Sequence, residues 1–310
     1  MNRLFDIVAI GEAMVEFNQT GEHGGRTYLQ GFGGDTSNAV IAASRQGARC
    51  AFVTRLGDDD FGAMLQALWR REGVDTRAVI TDPSAPTGIY FVRHDDGGHA
   101  FSYRRAGSAA SRAQPSDVPA DLLHDSKILH VSGISQAISP SATETVAHAM
   151  RRARASGTLV AYDPNLRLKL WPLALASEVI LASIPLCDHF LPSLDDVQLV
   201  SGLTEPEDII AWSHDQGART VVLKLGRQGS LVSTGHGCTP VAAKVVKAVD
   251  ATGAGDCFDG SYLAQVAAGA GPVDAARWAS AAAALATTGF GAVDPLPSAA
   301  RVHAMLTDAA

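Results

Sequence analysis

The stretch Asp250-Ala251-Thr252-Gly253-Ala254-Gly255-Asp256 is followed by Cys257, Phe258 and a helical pattern. Its residue types suit work on a phosphate. Two glycines and an alanine leave backbone amides bare just where a helix begins. Helix N-termini carry unpaired N–H groups and a partial positive charge, so they hold phosphate or another oxyanion. Asp256 stands beside that anion site as a base. An amide cradle that steadies the transferring group, next to a carboxylate that takes the acceptor's proton, equips a phosphoryl transferase. A glycine-rich turn with a capping Asp has the same composition without any chemistry, so the rest of the chain must decide.

Other chemistries find less support. Gly31-Phe32-Gly33-Gly34 would need a glycine at position 36 to complete a dinucleotide fingerprint, and that residue is Thr36. No Gly-Lys-Ser or Gly-Lys-Thr occurs, which excludes a P-loop nucleotidase. The ten histidines show no metal spacing, and the four cysteines form no C-x-x-C pair. With no secretory signal at the N-terminus, the thiols read as reduced and the protein as cytoplasmic. A net charge of −7 argues against broad nucleic-acid binding. The longest apolar run, Leu173 to Leu186, is interrupted by Ser177 and Glu178 and is too short to span a bilayer.

The elements that must position these residues read as an α/β chain of 310 residues. Asp6 to Ile10 is a buried strand. Ala13–Phe17 and roughly Arg26–Leu29 alternate like exposed antiparallel strands. Asp35 to Gln46 has helical spacing, with Asp35, Thr36 or Ser37 as cap and Gly47 as terminator. Cys50 to Thr54 is a strand and Phe61 to Glu72 a helix. Thr87–Val92 and His99–Tyr103 form a hairpin about Asp95-Asp96-Gly97-Gly98. From Lys127 onward strands and helices alternate: Ile128–Val131, Ala142–Ala155, Leu159–Tyr162, His189–Leu191, a helix near Asp208–Gln216, and Thr220–Lys224. Helices follow Gly255 and cover Ala275–Ala286. Such alternation predicts a doubly wound, mainly parallel sheet covered on both faces. The reading is one domain over residues 1–310, with a small β lid from about 12–34 and 87–106.

Two separated signatures then carry a resemblance. One is Gly33-Gly34-Asp35-Thr36-Ser37-Asn38-Ala39 followed by Arg55-Leu56-Gly57-Asp58-Asp59-Asp60-Phe61-Gly62; the other is the 250–256 segment, over 200 residues later. Together they make the chain similar to the ribokinase-like (PfkB) carbohydrate kinases over nearly its whole length. The resemblance implies Asp256 as catalytic base and the amides of Gly253, Ala254 and Gly255 as anion hole. It implies a sugar site involving Gly33, Gly34, Asp35 and Asn38. It places ATP along Lys224, Leu225, Gly226 and Gly229, and along Asn165, Ser193, Gly253 and Gly255.

Three further segments look like 2-keto-3-deoxygluconate kinases: Gly88–Phe91, Tyr103–Ala110, and Asp163–Arg167 with Leu170-Trp171. A sugar acid carries a carboxylate, and a guanidinium fork matches it. Arg105 and Arg167 could converge on that group, while Tyr90 and Tyr103 offer hydroxyls and ring faces. A charge pair about 4 Å apart is worth about 4 kcal/mol at an effective dielectric of 20, before desolvation. A surface ion pair is the plainer use for Arg105, and strand alternation turns Arg104 outward. The expected reaction is ATP-dependent phosphorylation of a terminal hydroxyl, 2-keto-3-deoxygluconate to its 6-phosphate. A kinase of a neutral sugar or riboside stays open, as does a non-catalytic sugar-binding regulator. Mg²⁺ is implied with ATP, and a K⁺ site could use Asp250 and carbonyls near Thr252, unless Asp250 is only a cap. Many relatives carry N-x-x-E where this chain reads Ser193-Leu194-Asp195-Asp196, so the metal-contacting residues are unassigned. Cys257 reads as a small residue packed in a turn, and Asp294 lies where relatives return the chain toward the site. Bare lid edges favour pairing between the lids of two subunits.

Overall fold

A computed structural model describes residues 3–21, 25–95, 98–235 and 237–307. The strands are β1 (Phe5–Ile10), β2 (Met14–Gln19), β3 (Tyr28–Gly33), β4 (Cys50–Gly57), β5 (Asp75–Asp82), β6 (Ile89–Asp95), β7 (Gly98–Arg104), β8 (Ser126–Ser132), β9 (Leu159–Asp163), β10 (His189–Phe190), β11 (Thr220–Lys224), β12 (Ser230–Ser233) and β13 (Thr239–Val241). The helices are α1 (Asp35–Arg45), α2 (Asp60–Arg71), α3 (Ala120–His124), α4 (Gly133–Ala137), α5 (Pro140–Ala155), α6 (Leu173–Ser183), α7 (Leu194–Ser201), α8 (Pro206–Asp215), α9 (Ala254–Ala267), α10 (Pro272–Ala286) and α11 (Ala299–Thr307).

Nine strands form one sheet in the order β13-β12-β11-β10-β9-β8-β1-β4-β5, and β3-β2-β6-β7 form a second. The large sheet is parallel from β11 to β5, with β12 and β13 antiparallel at one edge. Strand β1 is central, Ile7 lying opposite both Cys50 and Ile128. Alternation along β1 feeds two cores. Ile7 and Ala9 join the cluster under α1, α2, α9 and α10, whereas Val8 and Ile10 join the one under α5, α6 and α8. The near-continuous apolar runs of the parallel strands follow from this two-sided burial.

In the small sheet β2 pairs antiparallel with β3 and parallel with β6, and β6 and β7 form the hairpin. Asp96 and Gly97 of its expected turn lie outside the described residues. Strand β3 runs on to Gly33 rather than ending at Leu29, because its glycines serve pairing instead of turning. A Cβ at Gly33 would stand 2.2 Å from the Tyr90 hydroxyl, and one at Gly31 3.2 Å from Glu16. Strand β5 was not anticipated: it is an edge strand whose short apolar run, Ala78–Ile80, is flanked by Asp75-Thr76-Arg77 and Thr81-Asp82. Helix α1 is capped by Gly34, at φ 125°, and not by the side chain of Asp35, Thr36 or Ser37. A Cβ at Gly34 would meet Glu12 O at 2.3 Å. The chain must pass this close for α1 to start at the sheet edge.

Helix α9 lies directly on α1, and Gly260 permits it: a Cβ there would sit 2.0 Å from Ala39 O. Gly260→Ala is therefore expected to lower the unfolding free energy by about 2–3 kcal/mol. Urea unfolding checks this, with Gly271→Ala as control, since Gly271 faces open space.

Candidate active site

Lys224, Asp163 and Glu12 mark where β11, β9 and β1 run out along one edge of the large sheet, and the small sheet stands over that edge. Between them lies a cavity of about 790 Å³. Crevices at the carboxyl ends of parallel strands are where open α/β sheets bind ligands. The cavity is lined by Tyr90, Phe101 and Tyr103 of the small sheet, by Arg105 just after β7, and by Ser193, Leu225 and Gly226. The first turn of α9 lines it as well.

That turn is built by Gly253, the N-cap at φ 74°, a conformation natural to glycine. A Cβ there would press on Ala292 at 2.9 Å. Of the three amides expected in the anion hole, Ala254 N–H instead donates to Ala251 O at 3.2 Å, closing the turn. Cys257 N–H is the first to reach back along the helix, to Gly253 O at 2.8 Å. The N–H groups of Gly255 and Asp256 precede that bond and have no intrahelical acceptor. Gly255 is exposed on the cavity, and the nearest atom to a Cβ there would be Lys224 Nζ at 3.9 Å.

Asp256 accepts a 2.8 Å hydrogen bond from Asn38 Nδ2, which ties α9 to α1. Burial pushes its carboxyl up to about 7, the charges of Asp35 and Asp163 push the same way, and Asn38 and Lys224 oppose them. Such a group is poised near neutrality to accept a proton. Asp35 is raised as well, chiefly by burial, and its Oδ2 accepts from Asn165 Nδ2 at 3.3 Å. Asn165 holds φ 34°, the only non-glycine among the described residues with positive φ. Strained backbone of this kind clusters at ligand sites.

Lys224 sits on the floor. Its ammonium donates to Asp163 Oδ2 at 2.9 Å and to both oxygens of Asp259 at 3.0 and 3.1 Å. Burial works to raise Asp163, yet the Lys224 charge holds it below its ordinary value; Asp259, also buried, stays well above.

Arg105 lines the cavity, but Nη2 is ion-paired with Glu12, which is 1% exposed and also accepts from Ser108 Oγ at 2.6 Å. The plainer use of Arg105 as an ion-pair partner thus holds, with a buried acid in place of a surface one. Its Nε has no hydrogen-bond partner. Arg104 is exposed. Arg167 is also exposed on the cavity wall, donating to Leu166 O at 2.9 Å, and Lys169 stands near it. The Tyr90 hydroxyl donates to Glu16, whereas Tyr103 lies open to the cavity with the Arg105 guanidinium 5.8 Å from its ring centre.

Gly34, Asp35, Asn38, Tyr90, Tyr103, Arg105, Asn165, Arg167, Ser193, Lys224, Leu225, Gly226, Gly253, Ala254, Gly255 and Asp256 all border this cavity. Gly33 and Gly229 do not. Gly33 makes room for Tyr90, and Gly229, at φ 95°, passes so close to β13 that a Cβ would meet Val241 O at 2.0 Å. Asp250 Oδ1 accepts from Thr252 N and Oγ1, and Oδ2 from Gly291 N, so it ties the turn to the following loop. That loop meets the cavity through Ala292, while Asp294 faces a separate cavity. Cys257 is buried, and burial pushes its thiol up to about 12, as suits a packed residue. Glu12, Lys169 and Asp259 escaped the sequence reading. Only Asp259 had a visible signal, three positions after Asp256 and hence on the same helix face.

The sequence profile of the pfkB family carbohydrate kinases matches residues 4–299. The chain belongs to that family. It is an ATP-dependent sugar kinase. The 2-dehydro-3-deoxygluconokinase of Thermoproteus tenax is 36% identical over 304 residues, covering 95% of this chain and 92% of its own. Fructokinase from Xylella fastidiosa, solved with bound ATP, superposes with a TM-score of 0.91 at 25% identity over 99% of both chains. Fructokinase from Vibrio cholerae, solved with fructose, ADP and calcium, gives 0.87 at 31% identity over 97% of this chain and 98% of that one. The Xylella structure thus carries a nucleotide, and the Vibrio structure a nucleotide with a metal ion. No described helix is long and apolar enough to cross a membrane.

Proposed function

We propose that this kinase phosphorylates the terminal hydroxyl of a sugar acid, 2-keto-3-deoxygluconate being the substrate that fits best. One observation carries the reading. Three buried polar atoms without hydrogen-bond partners belong to residues that line the cavity: Asp35 Oδ1, Asn38 Oδ1 and Arg105 Nε. Two acceptors call for hydroxyls and the guanidinium donor for an anionic or carbonyl oxygen, since a buried polar atom left unsatisfied is costly. Arg167 adds a second cation on the same cavity, and the likeness to a 2-dehydro-3-deoxygluconokinase supports the same class.

In this reading the small sheet is a lid. The sugar lies between it and Asp256, and ATP extends toward Ser193, Leu225 and Gly226. Asp256 takes the proton of the terminal hydroxyl as that oxygen attacks the γ-phosphorus in line, while the bond from that phosphorus to the bridging oxygen breaks and ADP leaves. The Gly255 and Asp256 amides, with the α9 dipole, face the charge that develops. Among the described residues no group of three His, Cys, Asp or Glu side chains could hold a metal. That suits Mg²⁺, which keeps waters and binds substrate phosphates with one or two carboxylates. Asp195 and Asp196 would be those carboxylates, and the ion would neutralise phosphate charge. Asp250 is committed to the turn, so a K⁺ ion there would rest mainly on backbone carbonyls.

An ATP-consumption assay against 2-keto-3-deoxygluconate, gluconate, fructose and ribose tests the assignment. Greatest kcat/KM on fructose would establish the second reading, which Glu12 favours because it already balances Arg105. Strands β3 and β7 are the lid's two edges, and Leu29 is 58% exposed on β3. Lid-to-lid dimers are the expected assembly, and a monomer in sedimentation velocity would remove them.

A further inference from the structure

Lys224 ends a strand at the nucleotide side of the cavity, where a lysine invites assignment to a phosphate. Its bonding argues otherwise. An ammonium has three donors, and three carboxylate oxygens of Asp163 and Asp259 lie within 3.1 Å of Nζ. These contacts fasten β11 to β9 and to α9. Asp259 stands one helical turn beyond Asp256, so the same bonds set how the base's helix turn sits on the sheet edge. We propose that Lys224 is a positioning residue for Asp256 rather than a phosphate ligand: it clamps the first turn of α9 and supplies positive charge beneath the base. The inference rests on Asp256 being that base.

The charges around Asp256 can be assigned by element. Asp35 faces it from α1, Tyr90 from β6, Asp163 from β9 and Lys224 from β11, while Cys257 and Asp259 follow on α9. His130 on β8 is buried behind Asp163 and Lys224, and burial depresses its imidazole to about 4, so it stays neutral. Lys224 is therefore the cation that offsets Asp35 and Asp163, and removing either sign of charge should move Asp256 in opposite directions. Without Lys224 the base holds its proton to higher pH; without the Asp163 charge it releases the proton sooner.

The test is kcat/KM against pH for the wild-type enzyme, Lys224→Met and Asp163→Asn, with Asp256→Asn alongside. Lys224→Met should shift the acid limb upward by about one pH unit or more, with activity regained at high pH and KM for ATP within about threefold. Asp163→Asn should shift the limb downward. A rise in KM for ATP above tenfold with an unmoved acid limb would make Lys224 a phosphate ligand and overturn the proposal. Should Lys224→Met fail to fold, an unmoved limb in Asp163→Asn would overturn it equally. Full turnover in Asp256→Asn would instead remove the base on which the inference rests.

Discussion

Asp256→Asn should lower kcat by about a thousandfold, with KM for ATP and sugar changed by no more than a few-fold. Positioned proton transfer contributes about 10² to 10⁴ in rate, and a thousandfold is about 4 kcal/mol of barrier. Asparagine keeps the size of the side chain and its contact with Asn38, but it cannot take a proton. The pH behaviour has a definite sign. A base must be ionised to act, so the wild-type rate should rise with pH through an inflection near the value of about 7 to which burial lifts this carboxyl. Stability runs the other way. A carboxyl whose folded pKa lies above its unfolded value contributes stability that is full below the unfolded pKa and lost as pH rises through the folded one. The ionised base is therefore a burden on the fold above about pH 7. Asp256→Asn should raise Tm at pH 8 and change it little at pH 4, a trade of stability for chemistry. Melting curves and initial rates on one preparation check both halves. A variant that keeps near-wild-type turnover, or melts earlier at pH 8, would contradict the account.

How far the chain could be read in advance depended on how local each determinant was. Thr220–Lys224 and Ala142–Ala155 fell within a few residues of their true bounds because the strand is an apolar run buried on both sides and the helix repeats one apolar face. The doubly wound sheet followed from the alternation of such segments. The edge strand β5 was invisible because one-sided cover lets Asp75 and Arg77 sit in it. Strand β3 was cut short because Gly31 and Gly33 look like a turn, whereas they keep the strand clear of Glu16 and Tyr90. At the site, the glycine-rich turn and the neighbouring Asp256 carboxyl were legible as one local feature because they lie within a few residues of each other. Partner choice was not. Glu12 reaches Arg105, and Lys224 reaches Asp163 and Asp259, across distances set by the folded sheet edge. Residue type alone left Lys224 free for ligand and Arg105 open to a ligand or a surface acid, and only the packed structure showed what each already holds.

Arg167→Ala should raise KM for 2-keto-3-deoxygluconate by about 10- to 100-fold while KM for ATP and kcat stay near wild type. A charge-assisted hydrogen bond is worth about 1.5–3 kcal/mol, and the exposed setting of Arg167 favours the lower end through solvent screening. Among the described residues no carboxylate is ion-paired with this guanidinium, although its charge helps hold down the Asp196 carboxyl, which burial raises. Arg105 is different. Arg105→Ala would leave Glu12 buried without its cation, and breaking a buried pair from one side costs about 3–5 kcal/mol of stability. Loss of activity in that single variant would thus confuse binding with folding. Pairing Arg105→Met with Glu12→Gln removes both charges, so the fold should recover while affinity for the sugar acid does not. Measured against fructose, the same double variant should lose little, since a neutral sugar has no carboxylate for Arg105 to hold. If Arg167→Ala and the double variant both keep wild-type KM for the sugar acid, the carboxylate is recognised elsewhere. The neutral-sugar reading would then take precedence, with Glu12 and Arg105 serving as a tie between the roots of β2 and β7.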